Sequence, residues 1–176
     1  METQQTVKTI NPAGLVVRKA MAQDLPDLEW DGGFTHFRRV FADAYDRQIS
    51  GSSMIWVAYL SGVGLVGQLF IQFLCDRHEL ADGDCRAYLY SFRVKPLYRS
   101  LGVGSHVMDV VENDLRLRGF QYVTLNVAKE NFRAQDLYRR RGYHVIASES
   151  GRWSYPDHMG IWHHVEEPAW RMEKKL

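Results

Sequence analysis

Apolar and polar positions change their spacing along the chain, and the changes mark the elements. Leu15 to Arg18 is a short apolar run that predicts a first strand. In "DLPDLEWDGGF", Pro26 and the pair Gly32-Gly33 punctuate the chain rather than extend a structure. From Phe34 the apolar residues fall at Phe34, Phe37, Val40, Phe41, Ala44 and Tyr45, spacings of three and four that predict an amphipathic helix. "MIWVAYL" and "LVGQLFIQF" are rich in strand formers and are separated by "SGVG", a hairpin signal. "CRAYLYSFRV" follows after an "ADGD" turn, so three consecutive runs predict an antiparallel meander.

Beyond it the period lengthens again. Val103, Val107, Val110, Val111 and Leu115 mark a second amphipathic helix, closed by Gly119. "YVTLNV" reads as a short buried strand. "NFRAQDLYRRRGY" reads as a helix with Asn131 at its N-cap and Gly142 at its end. "YHVIAS" and "AWRMEKKL" are two further strands, and the stretch between them, with Trp153, Pro156, Gly160 and several histidines, reads as a loop. Antiparallel strands followed by strand–helix–strand–helix–strand predict a mixed α/β sheet.

Composition narrows the classes. The 176 residues fit one domain, residues 1–176, with a sizeable core. A net charge of +1, from 22 Lys and Arg against 21 Asp and Glu, gives no general attraction to nucleic acid or to an anionic membrane. The longest apolar run is too short to span a bilayer, and "METQQTVKTI" has no apolar core of signal-peptide length. Cys75 and Cys85 match no metal or redox spacing. His163-His164 alone lacks ligand spacing, so no metal is expected. These features predict a cytoplasmic protein.

The stretch "RSLGVG", Arg99 to Gly104, joins a strand-like run to a helix-like one. A glycine-containing entry exposes the first amide protons of a helix, which have no partner within it, at the positive end of the peptide dipoles. Gly102 and Gly104 allow close backbone approach to an anion, and Arg99 adds charge. A triphosphate loop needs Lys and Ser or Thr after its last glycine, which Ser105-His106 does not supply. A dinucleotide fingerprint needs a third glycine, which is also missing. A plain turn stays open as the alternative.

"RVKPLYRSLGVGSHVM" together with "LNVAKENFRAQDLYRRRGY" resembles the GNAT family of acetyl-CoA-dependent N-acetyltransferases, with the specific motifs running from Leu89 to Val145. The resemblance implies the acyl-CoA N-acyltransferase fold: a mixed, mostly antiparallel sheet of about seven strands flanked by about four helices. It implies acetyl-CoA as co-substrate. The pyrophosphate would lie on Arg99, Ser100, Leu101, Gly102, Val103 and Gly104, with Ser105 as a further donor. The pantetheine arm would bond the main chain of Phe92, Arg93 and Val94 on a strand that bulges and splays from its neighbour. Asn126, disfavoured in mid-strand, would contact pantetheine. Asn131 would cap its helix, touch the cofactor, or do both, and Arg133 would either reach a phosphate or be a solvated charge.

By the same resemblance Tyr138 protonates the departing thiolate, against the plainer reading of a core tyrosine. A phenol is protonated at neutral pH and can donate once the sulfur is anionic. The acceptor's ammonium, of pKa about 10, must lose a proton before attack. Many family members use a Glu on the strand before the loop, but "YLYSFRV" has no carboxylate and places Tyr90 near that position. No base is assigned. Arg139 to Arg141 reads as a solvated face.

The acceptor groove in this family is commonly built from the first helices and the loop between the last strands. That falls on Asp24, Asp27, Glu29, Trp30, Asp31, Phe34 and His36, and on Trp153, Tyr155, His158, Trp162, His163 and His164, against the plainer reading of acidic helix starts and packed aromatics. Carboxylates near aromatics would suit a cationic amine. The resulting expectation is acetyl transfer to a primary amine of a small-molecule or peptide acceptor, in a chain that pairs as a homodimer. The alternative is a catalytically silent CoA-binding regulatory or interaction protein.

Overall fold

The computed structural model describes residues 14–176. The segment "METQQTVKTI", where no signal peptide is expected, lies outside them. The strands are β1 (Leu15–Lys19), β2 (Ser53–Leu60), β3 (Gly64–Gln72), β4 (Arg86–Val94), β5 (Tyr122–Ala128), β6 (His144–Glu149), β7 (Arg152–Pro156), β8 (Trp162–Glu166) and β9 (Ala169–Lys175). The α-helices are α1 (Arg38–Ile49), α2 (Val103–Leu117) and α3 (Phe132–Arg140), and Ala22–Glu29 forms a fourth, 3-10 helix. Seven strands make one sheet in the order β1-β2-β3-β4-β5-β9-β6. Every neighbouring pair is antiparallel except β4 and β5. The fold is the mixed, mostly antiparallel α/β sheet with about four helices that the sequence predicts.

Alternation along the strands divides the core between the two faces of the sheet. One face places Leu69, Ile71, Leu89, Val123 and Leu125 against the apolar stripe of α2, with Tyr138 of α3 in the same cluster. The other places Ile55, Val57 and Phe70 against Phe41 and Ala44 of α1 and Leu28 of the 3-10 helix.

Two segments differ from the sequence reading. Ala22–Glu29 is helical straight through Pro26. It is held from outside: Asp24, buried, accepts the Met21 amide at 2.7 Å, both guanidinium arms of Arg18 at 2.7 and 2.9 Å, and the Tyr59 hydroxyl at 2.9 Å. Tertiary bonds there override the proline. The stretch read as a loop between the last strands is a two-stranded hairpin, β7 paired with β8. Its turn is closed by Asp157, which accepts the Met159 and Ile161 amides and meets His163 Nε2 at 2.9 Å.

Candidate active site

The geometry of β4 decides the site. Gln68 pairs with Arg93 and Phe70 with Tyr90, so Ser91 and Phe92 together oppose Leu69 as a bulge. Ser91 sits at φ +50°, a left-handed conformation uncommon for a side-chain-bearing residue. On its other edge β4 pairs with β5 only over Arg86–Leu89 and Tyr122–Leu125, although both strands run on. Beyond Leu89 and Leu125 the strands part, leaving main-chain groups of β4 without a neighbour on that side.

A cleft of about 720 Å³ opens there. One end is the start of α2. Ser100 (φ +59°) and Gly102 (φ +86°) curl the chain into the helix, and the first bond to close is the His106 amide onto the Gly102 carbonyl at 3.0 Å. The amides of Val103, Gly104 and Ser105 precede that bond and point out of the helix end. Gly104 lies under the β4 side chains: a Cβ would stand 3.3 Å from Phe92 Cζ and 3.7 Å from Val94 Cγ2. Arg99, Arg133 and Arg140 line this end. Arg99 Nε donates to the Val94 carbonyl (2.8 Å) and Arg133 to Ser100 Oγ (2.9 Å), and none of the three is in an ion pair among the described residues. Asn131 caps α3, accepting the Ala134 amide at 3.1 Å.

Tyr138, only 7 % exposed, reaches the same cleft from α3, between Phe92 (ring centroids 6.5 Å apart) and Tyr143 (5.7 Å). Its hydroxyl has no hydrogen-bond partner among the described residues. Burial, with Tyr88 as a second cause, pushes its pKa up, so the phenol stays protonated through neutral pH.

Most of the residues expected at the site from the sequence lie on the cleft wall. Leu101, Val103 and Asn126 do not: Leu101 is half-buried, Val103 packs in the core, and Asn126 lies at the point where β5 leaves β4. The Asn126 Oδ1 is buried without a partner among the described residues, as is the Tyr90 hydroxyl at the matching point on β4. Arg140, read as part of a solvated face, is on the wall. Helical spacing was the available signal, since Arg133, Leu137 and Arg140 fall on one face of α3.

Trp30, Phe34 and Arg93 also line the cleft. The Arg93 side chain projects away from Phe92 and Val94, with its guanidinium 4.3 Å from the Phe34 ring centroid and 5.2 Å from that of Phe37. Ser91 Oγ accepts from it at 3.0 Å, and among the described residues no carboxylate pairs with it. Burial lowers its pKa to about 10. Stacking on two rings returns about 0.5–2 kcal/mol per ring, whereas desolvating a cation costs several kcal/mol. Arg93 is half-buried, and its nitrogens other than the one bonded to Ser91 keep access to the cleft. Beyond Phe37, the aromatic surface continues onto the hairpin through Tyr155 (4.7 Å) and Trp153 (6.1 Å). No carboxylate lies on the cleft wall among the described residues.

A parted parallel strand pair, a bulged strand and a glycine-curled helix start lined with arginines meet in one cleft. Residues 21–143 match the acetyltransferase (GNAT) family, and the chain belongs to that family. It is an acyltransferase. Solved structures share the fold at low identity. Ard1 from Thermoplasma volcanium superposes with a TM-score of 0.71 at 18 % identity, over 93 % of this chain and 98 % of that one. The ribosomal-protein-S18-alanine N-acetyltransferase from Escherichia coli gives 0.68 at 19 %, over 92 % and 93 %. The PaiA N-acetyltransferase from Thermoplasma acidophilum, in complex with coenzyme A, gives 0.65 at 17 %, over 92 % and 99 %. No curated protein matches the chain in sequence.

Proposed function

We propose that this chain, as a single domain, transfers the acetyl group of acetyl-CoA to a primary amine of a small-molecule or peptide acceptor by direct attack. The observation that carries the reading is one cleft that joins an amide-rich helix start, a parted strand edge and an unpartnered buried phenol. The residues fit a polyanionic, amide-bearing cofactor: three arginines without an ion pair among the described residues, and an Asn126 Oδ1 without a partner among them where the strands part. Arg99, Arg133, Arg140 and the amides of Val103 to Ser105 would hold the phosphates, and the main chain of Phe92 to Val94 the pantetheine. Bound acetyl-CoA would supply an activated thioester carbonyl.

The chain's own work is positioning and proton transfer. The cleft fixes donor and acceptor in one space, converting a bimolecular encounter into a local one. Tyr138 Oη–H donates its proton to the departing sulfur. The amine must arrive neutral, and no carboxylate lies on the wall among the described residues to take its proton; the Tyr90 hydroxyl, unpartnered where the strands part, is the group assigned to that path. Two free thiols, Cys75 and Cys85, support a reducing, cytoplasmic setting. The open edge of β6, with Val145 and Ile146 exposed, supports pairing of two copies through the sheet.

Thiol release from acetyl-CoA against pooled polyamines, aminoglycosides, amino acids and short peptides tests the reading, with Tyr138→Phe alongside. Release that depends on one pool and falls in the variant supports it. CoA binding with no release from any pool returns the silent CoA-binding alternative.

A further inference from the structure

We propose that the acceptor amine carries a carboxylate and that Arg93 receives it. This rests on the acetyltransferase reading above and names its acceptor class. Arg93 shares the cleft with Tyr138. Its main chain belongs to β4, while its fork lies on the opposite side of the strand from Phe92, among Phe34 and Phe37.

The fork is held in place before any ligand arrives. The Trp30 indole N–H donates to Gln68 Oε1 at 3.1 Å, and Gln68, fully buried, reaches Ser91 Oγ through a long 3.4 Å contact. Ser91 Oγ accepts from Arg93 at 3.0 Å. The bulge that gives Ser91 its left-handed φ thus also turns its hydroxyl to the guanidinium. Two aromatic faces fix the plane of the fork, and one nitrogen is bonded. The remaining N–H donors have no hydrogen-bond or ion-pair partner among the described residues.

An arginine stacked, tethered and unneutralised beside a cavity matches a planar anion, since a guanidinium presents parallel donors at the spacing of carboxylate oxygens. A polycation has the opposite requirement, and the wall offers it no carboxylate. The acidic groups of the 3-10 helix do not supply one either, because Asp24 is consumed by Arg18 and Tyr59, Asp27 accepts from the same tyrosine, and Glu29 accepts from Thr35 and from Arg38.

The test is thiol release from acetyl-CoA with the standard L-amino acids, the carboxamide of each, the decarboxylated amines and a matched set of aminoalkylphosphonates. CoA affinity is measured by calorimetry in parallel. At least one free acid is expected to exceed its carboxamide by about a hundredfold in kcat/KM. Arg93→Met, which keeps the stem against the rings, removes that preference while binding CoA as the wild type does; Arg93→Lys restores part of it. Carboxamides or simple amines turned over as well as the acids overturn the inference, as does release from no acid at all. Phosphonates preferred to carboxylates overturn the carboxylate assignment. A tenfold loss of CoA affinity in Arg93→Met with the acid preference intact assigns the side chain to the cofactor and overturns it too. Failure of the wild-type protein to bind CoA sinks the acetyltransferase reading itself, whereas the other outcomes leave that reading standing.

Discussion

Two hydroxyls have no partner among the described residues, Tyr90's buried and Tyr138's open to the cleft, and they have different consequences when removed. A buried unpartnered hydroxyl costs about 1–3 kcal/mol of desolvation, so Tyr90→Phe is expected to leave the melting temperature level or higher, and Tyr138→Phe, which gives up no protein hydrogen bond, to leave it nearly unchanged. Tyr138→Phe removes the proton donor and should lower kcat about a hundredfold with CoA affinity unchanged. Because burial holds the Tyr138 pKa above its usual value near 10, the donor form persists on the alkaline side. The kcat–pH profile of the wild type should therefore show no fall assignable to this residue below about pH 10. Tyr90→Phe should slow turnover, chiefly at pH values where the amine is mostly protonated. A Tyr90→Phe enzyme with unchanged rates from pH 6 to 9 would remove Tyr90 from the proton path. Asn126, whose Oδ1 is also unpartnered, is the corresponding probe of the cofactor side.

Among the elements, the entry to α2 carries the most specific expectation. Gly102 sits at φ +86° with nothing within 4 Å of a would-be Cβ, so replacing it strains the backbone without touching a neighbour. Gly102→Ala should cost about 1–2 kcal/mol, a fall of roughly 2–8 °C in melting temperature, and should weaken CoA binding because the amides that follow are re-aimed. A stable variant with normal CoA affinity would show that the curl is structural only. This glycine-curled entry and the cap at Asn131 were legible in the sequence, because local chemistry sets them. The seven sheet strands were legible for a similar reason, as periodicity reports burial directly. The 3-10 helix was not, since the bonds from Arg18 and Tyr59 that hold it come from elsewhere in the fold. The hairpin of β7 and β8 was hidden by its exposed residues, which show no clean alternation, and its turn depends on one aspartate. Arg93 illustrates the same limit within the site. Its place on β4 could be read, but the direction of its side chain depends on the bulge at Ser91, and the carboxylates that might have met it are engaged by other groups. The order of the sheet, with β9 between β5 and β6, likewise rests on pairings that no local pattern encodes.

For the molecule as a whole, acid stability follows from where its carboxylates are engaged. Asp24 is held down to about 2 by the Arg18 fork first, with the Met21 amide and Tyr59 hydroxyl adding to it against the cost of burial. Asp157 is held to about 2 by His163 and by two backbone amides of the hairpin turn. In the unfolded chain both return to about 3.9. A carboxyl whose folded pKa is depressed contributes stability that is fully present above the unfolded value and is lost as pH falls through the folded one. The protein should therefore lose stability progressively from about pH 4 to about pH 2. Asp24→Asn separates this contribution from the rest. The amide cannot accept two guanidinium bonds as a charge, so the variant should melt below the wild type at pH 7. That gap should narrow as the pH approaches 2, where the wild-type carboxyl is about half neutralised. Since Asp24 anchors the helix that leads into Trp30 and the aromatic end of the cleft, the same variant should raise the KM of the acceptor more than that of acetyl-CoA. Equal effects on both would mean that the 3-10 helix supports the fold in general rather than the acceptor end in particular. Melting curves across pH 2–7, set beside the two KM values, decide between those outcomes.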